Sequence, residues 1–83
     1  MKEYVATFWT HLSAISTLRA LKAAGVQADA RPVPRALSAS CGTCVRYLAD
    51  EPHEACLHRD YETVYAHTNG EYYEAVLSND APV

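Results

Sequence analysis

Thr10-His11-Leu12-Ser13-Ala14-Ile15-Ser16-Thr17-Leu18-Arg19-Ala20-Leu21-Lys22-Ala23-Ala24-Gly25-Val26-Gln27-Ala28-Asp29-Ala30-Arg31 changes its apolar period across one glycine. From His11 to Ala24, Leu12, Ile15, Leu18 and Leu21 return at short helical spacing with Ala14 in the same stripe, and Thr10 carries a hydroxyl able to cap a helix start. Gly25 stands where a left-handed C′ residue ends a helix. Beyond it, Val26, Ala28 and Ala30 alternate with Gln27, Asp29 and Arg31, the pattern of a half-buried strand. The spacing predicts a helix over 11–24 running straight into a strand over 26–31.

Upstream, Tyr4 to Phe8 is a short β-prone run, so the chain opens strand, helix, strand. Pro32 and Pro34 lack amide donors and stop the second strand, and Cys44 to Leu48 reads as the third. Asp50 and Pro52 are helix-start signals, predicting a short second helix from Glu51 to about Arg59 that carries Ala55, Cys56 and Leu57. Glu62–His67 and Tyr72–Leu77 flank Thr68-Asn69-Gly70-Glu71, and Asn-Gly is a strong hairpin signal. The competing reading extends the second helix through Tyr61, Val64 and Tyr65 to Gly70, but β-branched and aromatic content favours strands. The order corresponds to an α+β, ferredoxin-like split βαβ sandwich: an antiparallel sheet, two helices on one face and an extra C-terminal edge strand. Residues 1–77 form one domain and 78–83 a frayed tail.

A chain of 83 residues buries a thin core. Ten acidic against seven basic residues, a net charge of -3 and no basic block argue against a protein that tracks nucleic-acid phosphates. No apolar run approaches the roughly 20 residues a membrane span requires, and Met1-Lys2-Glu3-Tyr4 does not lead into a signal-peptide core. The expectation is a cytoplasmic, membrane-free protein. Three cysteines, an odd number, speak against a secreted disulfide framework and towards thiol chemistry or metal binding.

The chemistry concentrates in Arg31-Pro32-Val33-Pro34-Arg35-Ala36-Leu37-Ser38-Ala39-Ser40-Cys41-Gly42-Thr43-Cys44-Val45-Arg46-Tyr47, a Pro- and Ser-rich loop presenting Cys41 beside Gly42. Gly42 permits close backbone approach. A cysteine near its reference pKa of about 8.5 is only a few per cent thiolate at neutral pH, so a working thiol gains from nearby positive charge or amide donors. Arg35, Arg46 and the amides around Ser40, Cys41 and Gly42 are the candidates.

Cys41 and Cys44 also spell C-x-x-C, a dithiol/disulfide pattern. Three extended residues would hold their Cα atoms roughly 10 Å apart, beyond the about 7 Å a disulfide tolerates, so Cys44 reads first as a small apolar strand residue. A third reading sets Cys41, Cys44, Cys56 and His58, or His53, around a zinc ion, although Cys56-Leu57-His58 is not a usual ligand spacing. His11 and His67 read as surface residues near element ends. Tyr4, Tyr61, Tyr65, Tyr72 and Tyr73 supply either core or an interaction surface, and an edge strand over 72–77 offers a route to a homodimer.

The Pro-Arg, Leu-Ser-x-Ser and Cys-Gly portions of the 32–47 segment follow an N-terminal strand and an Ala/Leu-rich helix ending in Ala24-Gly25-Val26. Together they resemble the sulfur/selenium (Se/S) carrier protein-like family of small bacterial domains, across most of the first 48 residues. The resemblance implies that Cys41 takes sulfane sulfur, or selenium, from a donor such as a cysteine desulfurase and holds it as a persulfide. The terminal atom then passes to an acceptor protein. It implies a stoichiometric shuttle more than an enzyme, with no bound cofactor. Gly42 would give clearance, Ser38, Ser40 and nearby amides would hydrogen-bond the anionic persulfide, and Cys44 would serve as a resolving thiol.

Overall fold

In the computed structural model, which describes residues 1–37, 39–68 and 72–79, Thr10 is extended and its Oγ1 accepts the Ser13 N–H at 3.1 Å, opening helix α1 (His11–Ala23). Oγ1 also lies 2.8 Å from the Ser13 hydroxyl. At the other end, the Val26 N–H reaches the Leu21 carbonyl at 2.9 Å and the Gly25 N–H reaches Lys22 at 3.0 Å. This paired closure needs the left-handed C′ residue that Gly25 supplies at φ 82. Thr10→Ala is expected to cost about 1 kcal/mol, read as a lowered urea midpoint at unchanged slope; an unmoved midpoint would mean the cap contributes nothing.

The buried face of α1 is Ser13, Ala14, Thr17 and Leu21, with Leu18 packed against the core, so Ala14, Leu18 and Leu21 of the expected stripe face inward and Leu12 does not. At roughly 100° per residue, a strict spacing of three slips backwards around the helix, so Leu12 and Leu21 stand about 180° apart. Leu21 is fully buried, and Leu12 is 78% exposed.

The strands are β1 (Lys2–Phe8), β2 (Gln27–Pro32), β3 (Thr43–Ala49), β4 (Tyr61–Thr68) and β5 (Tyr72–Ser78). They form a five-stranded sheet in the order β2-β3-β1-β4-β5, every neighbouring pair antiparallel. Side chains alternate across it. Tyr4, Ala6, Phe8, Val45, Tyr47, Ala49, Val64 and Ala66 build the core with Ala14 and Leu21 of α1. The opposite face places Thr7 beside Cys44 and Thr63, and Val5 beside Arg46 and Tyr65. Tyr4 and Tyr61 are core residues, whereas Tyr65 and Tyr73 lie on this second face, ring edge to ring face. The side chain of Tyr72 lies outside what is described.

The fold is therefore α+β with one helix, and the expected ferredoxin-like arrangement with a second helix over 51–59 is not formed. The reason is reach. β3 and β4 both run antiparallel to β1, so residues 50–60 must return along the length of the sheet. A seven-residue strand such as β3 spans roughly 23 Å. Nine helical residues would advance only about 13 Å. The segment takes an irregular path instead: His53 is left-handed at φ 55, Glu54–Cys56 winds into a 3-10 turn, Leu57 is extended, and a turn closes with the Tyr61 N–H on the His58 carbonyl at 3.0 Å.

Side chains tie this connection to the core. The Tyr47 hydroxyl donates to the Pro52 carbonyl, and the His58 N–H donates to Thr17 Oγ1 at 2.8 Å. Asp60 anchors its end. Burial alone would raise the Asp60 pKa, but hydrogen bonds from Ser13 and His58, with the His58 charge, bring it below the usual carboxylate range.

The β4–β5 pair bears out strands over helix in the C-terminal third; the Asn69-Gly70 turn lies outside the described residues. Val64 pairs with Leu77 and Tyr65 with Ala75, so Val76 bulges from the edge strand. Of the segment read as a tail, Ser78 belongs to β5. The Asn79 N–H reaches the Glu62 carbonyl at 3.0 Å and its side-chain amide reaches Arg59 at 2.7 Å. Residues 80–83 lie outside the description. Among the described residues no helix is long and apolar enough to cross a membrane.

Candidate functional site

The loop between β2 and β3 lies at the sheet end where β1 finishes and α1 begins. Pro32 pairs with Thr43, and the Val33 N–H donates to the Gly42 carbonyl at 3.1 Å, carrying the ladder one step further. A turn closed by the Leu37 N–H on the Pro34 carbonyl at 3.0 Å holds Arg35, which is exposed. Ser38 lies outside the described residues.

Cys41 is held from three directions. Its N–H donates to the Phe8 carbonyl at 3.4 Å, docking it on the end of β1. Its Sγ receives the Thr43 N–H at 3.4 Å and can donate to the Thr43 carbonyl at 3.3 Å. The residue before it is clamped: Glu62 of β4 accepts the Ser40 N–H at 2.8 Å through Oε1 and the Ser40 hydroxyl at 3.0 Å through Oε2. The thiol is half-buried, packed against the helix-side core. On the α1 side, His11 Nδ1 lies 3.1 Å from Thr43 Oγ1.

Cys44 is the opposite case. It sits in β3 on the helix-free face at 2% exposure, its thiol directed to the Pro32 carbonyl at 3.6 Å. Burial pushes this thiol up to about 11; the Arg31 charge partly offsets that, and Asp29 and Cys41 add to it. Cys41, Cys44 and Cys56 are all free thiols. Alternation along β3 turns Cys44 away from the helix side against which Cys41 packs.

The other predicted residues disperse. Arg46 is on the Cys44 face of β3, its Nε 2.6 Å from Glu3 Oε2 and its Nη1 3.5 Å from Asp29 Oδ2, so its charge is spent in ion pairs. His67, read as a surface residue, packs there too, 3.2 Å from Glu3 and stacked on Tyr73 at 4.2 Å. Gly42 is uncrowded: a Cβ would meet nothing within 4 Å, so openness rather than close backbone packing describes it. Ser40 spends its amide and hydroxyl on Glu62. Cys56 packs on the helix-side core, with His53 and His58 on the same connection. Among the described residues no group of three or more His, Cys, Asp or Glu side chains gathers to hold a metal ion.

The sequence reading missed Glu62, Thr43 and His11 as neighbours of Cys41. Glu62 lies 22 positions from Ser40 and carries no local signal. His11 follows a recognisable helix cap, which places it at a helix start but says nothing of what that start meets.

A family model described as "Putative Se/S carrier protein-like" matches residues 3–63, which takes in β1, α1, the whole Cys41 loop and Glu62. No curated protein and no solved structure matches the chain.

Proposed function

We propose that this chain, which belongs to the Putative Se/S carrier protein-like family, carries sulfane sulfur or selenium on Cys41. One observation carries the assignment within the chain: of the two loop cysteines, Cys41 is partly accessible with an amide directed at its sulfur, while Cys44 is sealed in β3 with its ionisation suppressed. The Cys41 thiolate attacks the outer sulfur of a donor persulfide. The donor's S–S bond breaks, its cysteine leaves as thiolate and takes up the proton lost by Cys41, and Cys41 becomes Cys-S-SH with no net oxidation. A second thiol then removes the outer atom by the same exchange.

The protein turns over only as its partners do, so it acts as a shuttle. Its donor is a persulfide-forming enzyme such as a cysteine desulfurase, and it works in the cytoplasm. The Thr43 amide supports the anionic sulfur, a role the family resemblance gave to Ser38, Ser40 and nearby amides.

Incubation with a cysteine desulfurase and free cysteine, followed by intact mass measurement, tests this. Wild type and Cys44→Ser are expected to gain the mass of one sulfur atom that a reductant removes, and Cys41→Ser to gain none. Equal loading of Cys41→Ser, or no loading of wild type by any persulfide donor, would end the proposal.

A further inference from the structure

We infer that His11 is a positioning residue for transfer at Cys41: by bonding the Thr43 side chain it keeps the Thr43 amide on the sulfur, so that Cys41 leaves as thiolate when an acceptor thiol takes the outer atom. The inference rests on the carrier reading of Cys41 and adds which residue outside the loop governs the release step.

The amide belongs to the peptide plane between Gly42 and Thr43. Its N–H lies 3.4 Å from Cys41 Sγ, and its carbonyl receives the Val33 N–H at 3.1 Å. The plane is rigid, but it can turn about the torsions at its two ends. At one end Gly42 lacks a Cβ to restrain it, and a Cβ there would meet nothing within 4 Å. At the other, Thr43 Oγ1 is tied to His11 Nδ1 at 3.1 Å. His11 is the first residue of α1, directly after the Thr10 cap, so the tie runs to a fixed point on the helix. The hydroxyl donates or accepts as the ring requires, so the bond holds in either state of the imidazole.

The release step gives this amide its importance. The free thiol can donate to the Thr43 carbonyl at 3.3 Å, whereas the inner sulfur of a persulfide has no proton to give. The Thr43 N–H is then its remaining partner among the described residues. Glu62 sets its carboxylate on Ser40, next to Cys41, so a sulfur anion gains nothing from that side. An acceptor thiolate that attacks the outer sulfur forms a new S–S bond and breaks the bond to Sγ. The electron pair stays on Sγ beside the Thr43 N–H, the acceptor departs as persulfide, and the proton it gave up ends on Cys41. Attack on Sγ instead would leave a mixed disulfide on Cys41 and expel hydrosulfide. A stabilised Cys41 thiolate favours the first course, and so does the half-burial of Sγ against the core.

The test follows one turnover in chains that all carry Cys56→Ser, so that mass reports on Cys41. Each is loaded with glutathione persulfide, freed of donor, mixed with cysteine and quenched in acid. Intact mass then separates the unmodified thiol, the product of outer transfer, from the mixed disulfide with cysteine. The parent is expected to give mainly the thiol. His11→Ala should slow transfer about threefold to tenfold and raise the mixed-disulfide share, and His11→Gln, which can still bond Thr43, should restore both. Thr43→Val should match His11→Ala, and the two together should lose no more than either alone. Urea midpoints establish that each variant is folded; were Thr43→Val unfolded, His11→Ala against His11→Gln decides. A parental rate and product ratio in His11→Ala would overturn the inference, as would a His11→Gln no better than His11→Ala, or additive losses in the double variant. A parent that takes up no sulfur would sink the carrier reading itself.

Discussion

Iodoacetamide added to the folded protein at neutral pH is expected to modify Cys41 and leave Cys44 untouched until the chain is unfolded. Cys44 has its pKa raised from 9.0 to about 11 by burial, which lowers its thiolate population about 100-fold. Its 2% exposure keeps the reagent out as well. Peptide mapping separates the cysteines, and rapid labelling of Cys44 in the native state would refute the assignment of Cys41 as the working thiol.

The same burial sets an alkaline limit. The folded state holds Cys44 neutral, so its contribution is complete below the unfolded pKa of 9.0 and is lost as pH rises through about 11. A rise of this size corresponds to at most about 2.7 kcal/mol. Tyr47 acts in the same direction, its hydroxyl also pushed up by burial and then by the charges of Tyr4, Cys56 and Tyr61. Urea midpoints should therefore fall on going from about pH 8 to about pH 10.5, and fall less in Cys44→Ala. Parallel decline in both proteins would show that Cys44 is not the group responsible.

Phe8→Ala is expected to cost about 3–5 kcal/mol, the largest stability loss of any substitution considered. Phe8 is fully buried at the end of β1 opposite Tyr61, and its carbonyl receives the Cys41 amide. A chain of 83 residues has about 4–12 kcal/mol in total, so the variant stands at the edge of unfolding. Leu12→Ala, on the exposed side of the same segment, should change stability by less than about 0.5 kcal/mol. Equilibrium urea unfolding measures both; a loss below about 1 kcal/mol for Phe8→Ala would mean that this end of the core is not packed as described.

How far the sequence could be read depended on whether the signal was local. Thr10, Gly25 and the alternation after Val26 each act through backbone groups within a few residues, and helix α1 and strand β2 follow them. The same holds for β4 and β5, whose β-branched and aromatic residues prevailed over a helical alternative; of the two prolines expected to stop β2, Pro32 is paired with Thr43 inside it and the ladder runs on to Val33, so only Pro34 stands beyond its end. The second helix failed for a non-local reason: Asp50 and Pro52 are adequate start signals, but the distance that residues 50–60 must cover is set by two strands pairing with a third. Leu12 was misplaced because a run of leucines at spacing three looks like a stripe and is in fact a slow rotation.

For the site, the sequence by itself determined that a stiffened, serine-rich loop delivers Cys41 to the start of a strand, and its motif placed the chain in a carrier-like family. Extended geometry also made Cys44 a strand residue. Only the tertiary structure decided that Cys41 and Cys44 pack against different faces, that Glu62 claims the donors of Ser40, that Arg46 is spent on Glu3 and Asp29, and that the helix start brings His11 to Thr43 on the thiol loop. The division has one physical cause. Caps, turns and periodicity are settled by backbone geometry over a few residues, whereas burial, ionisation and partnership depend on which distant strands meet in register, and no local spacing encodes that.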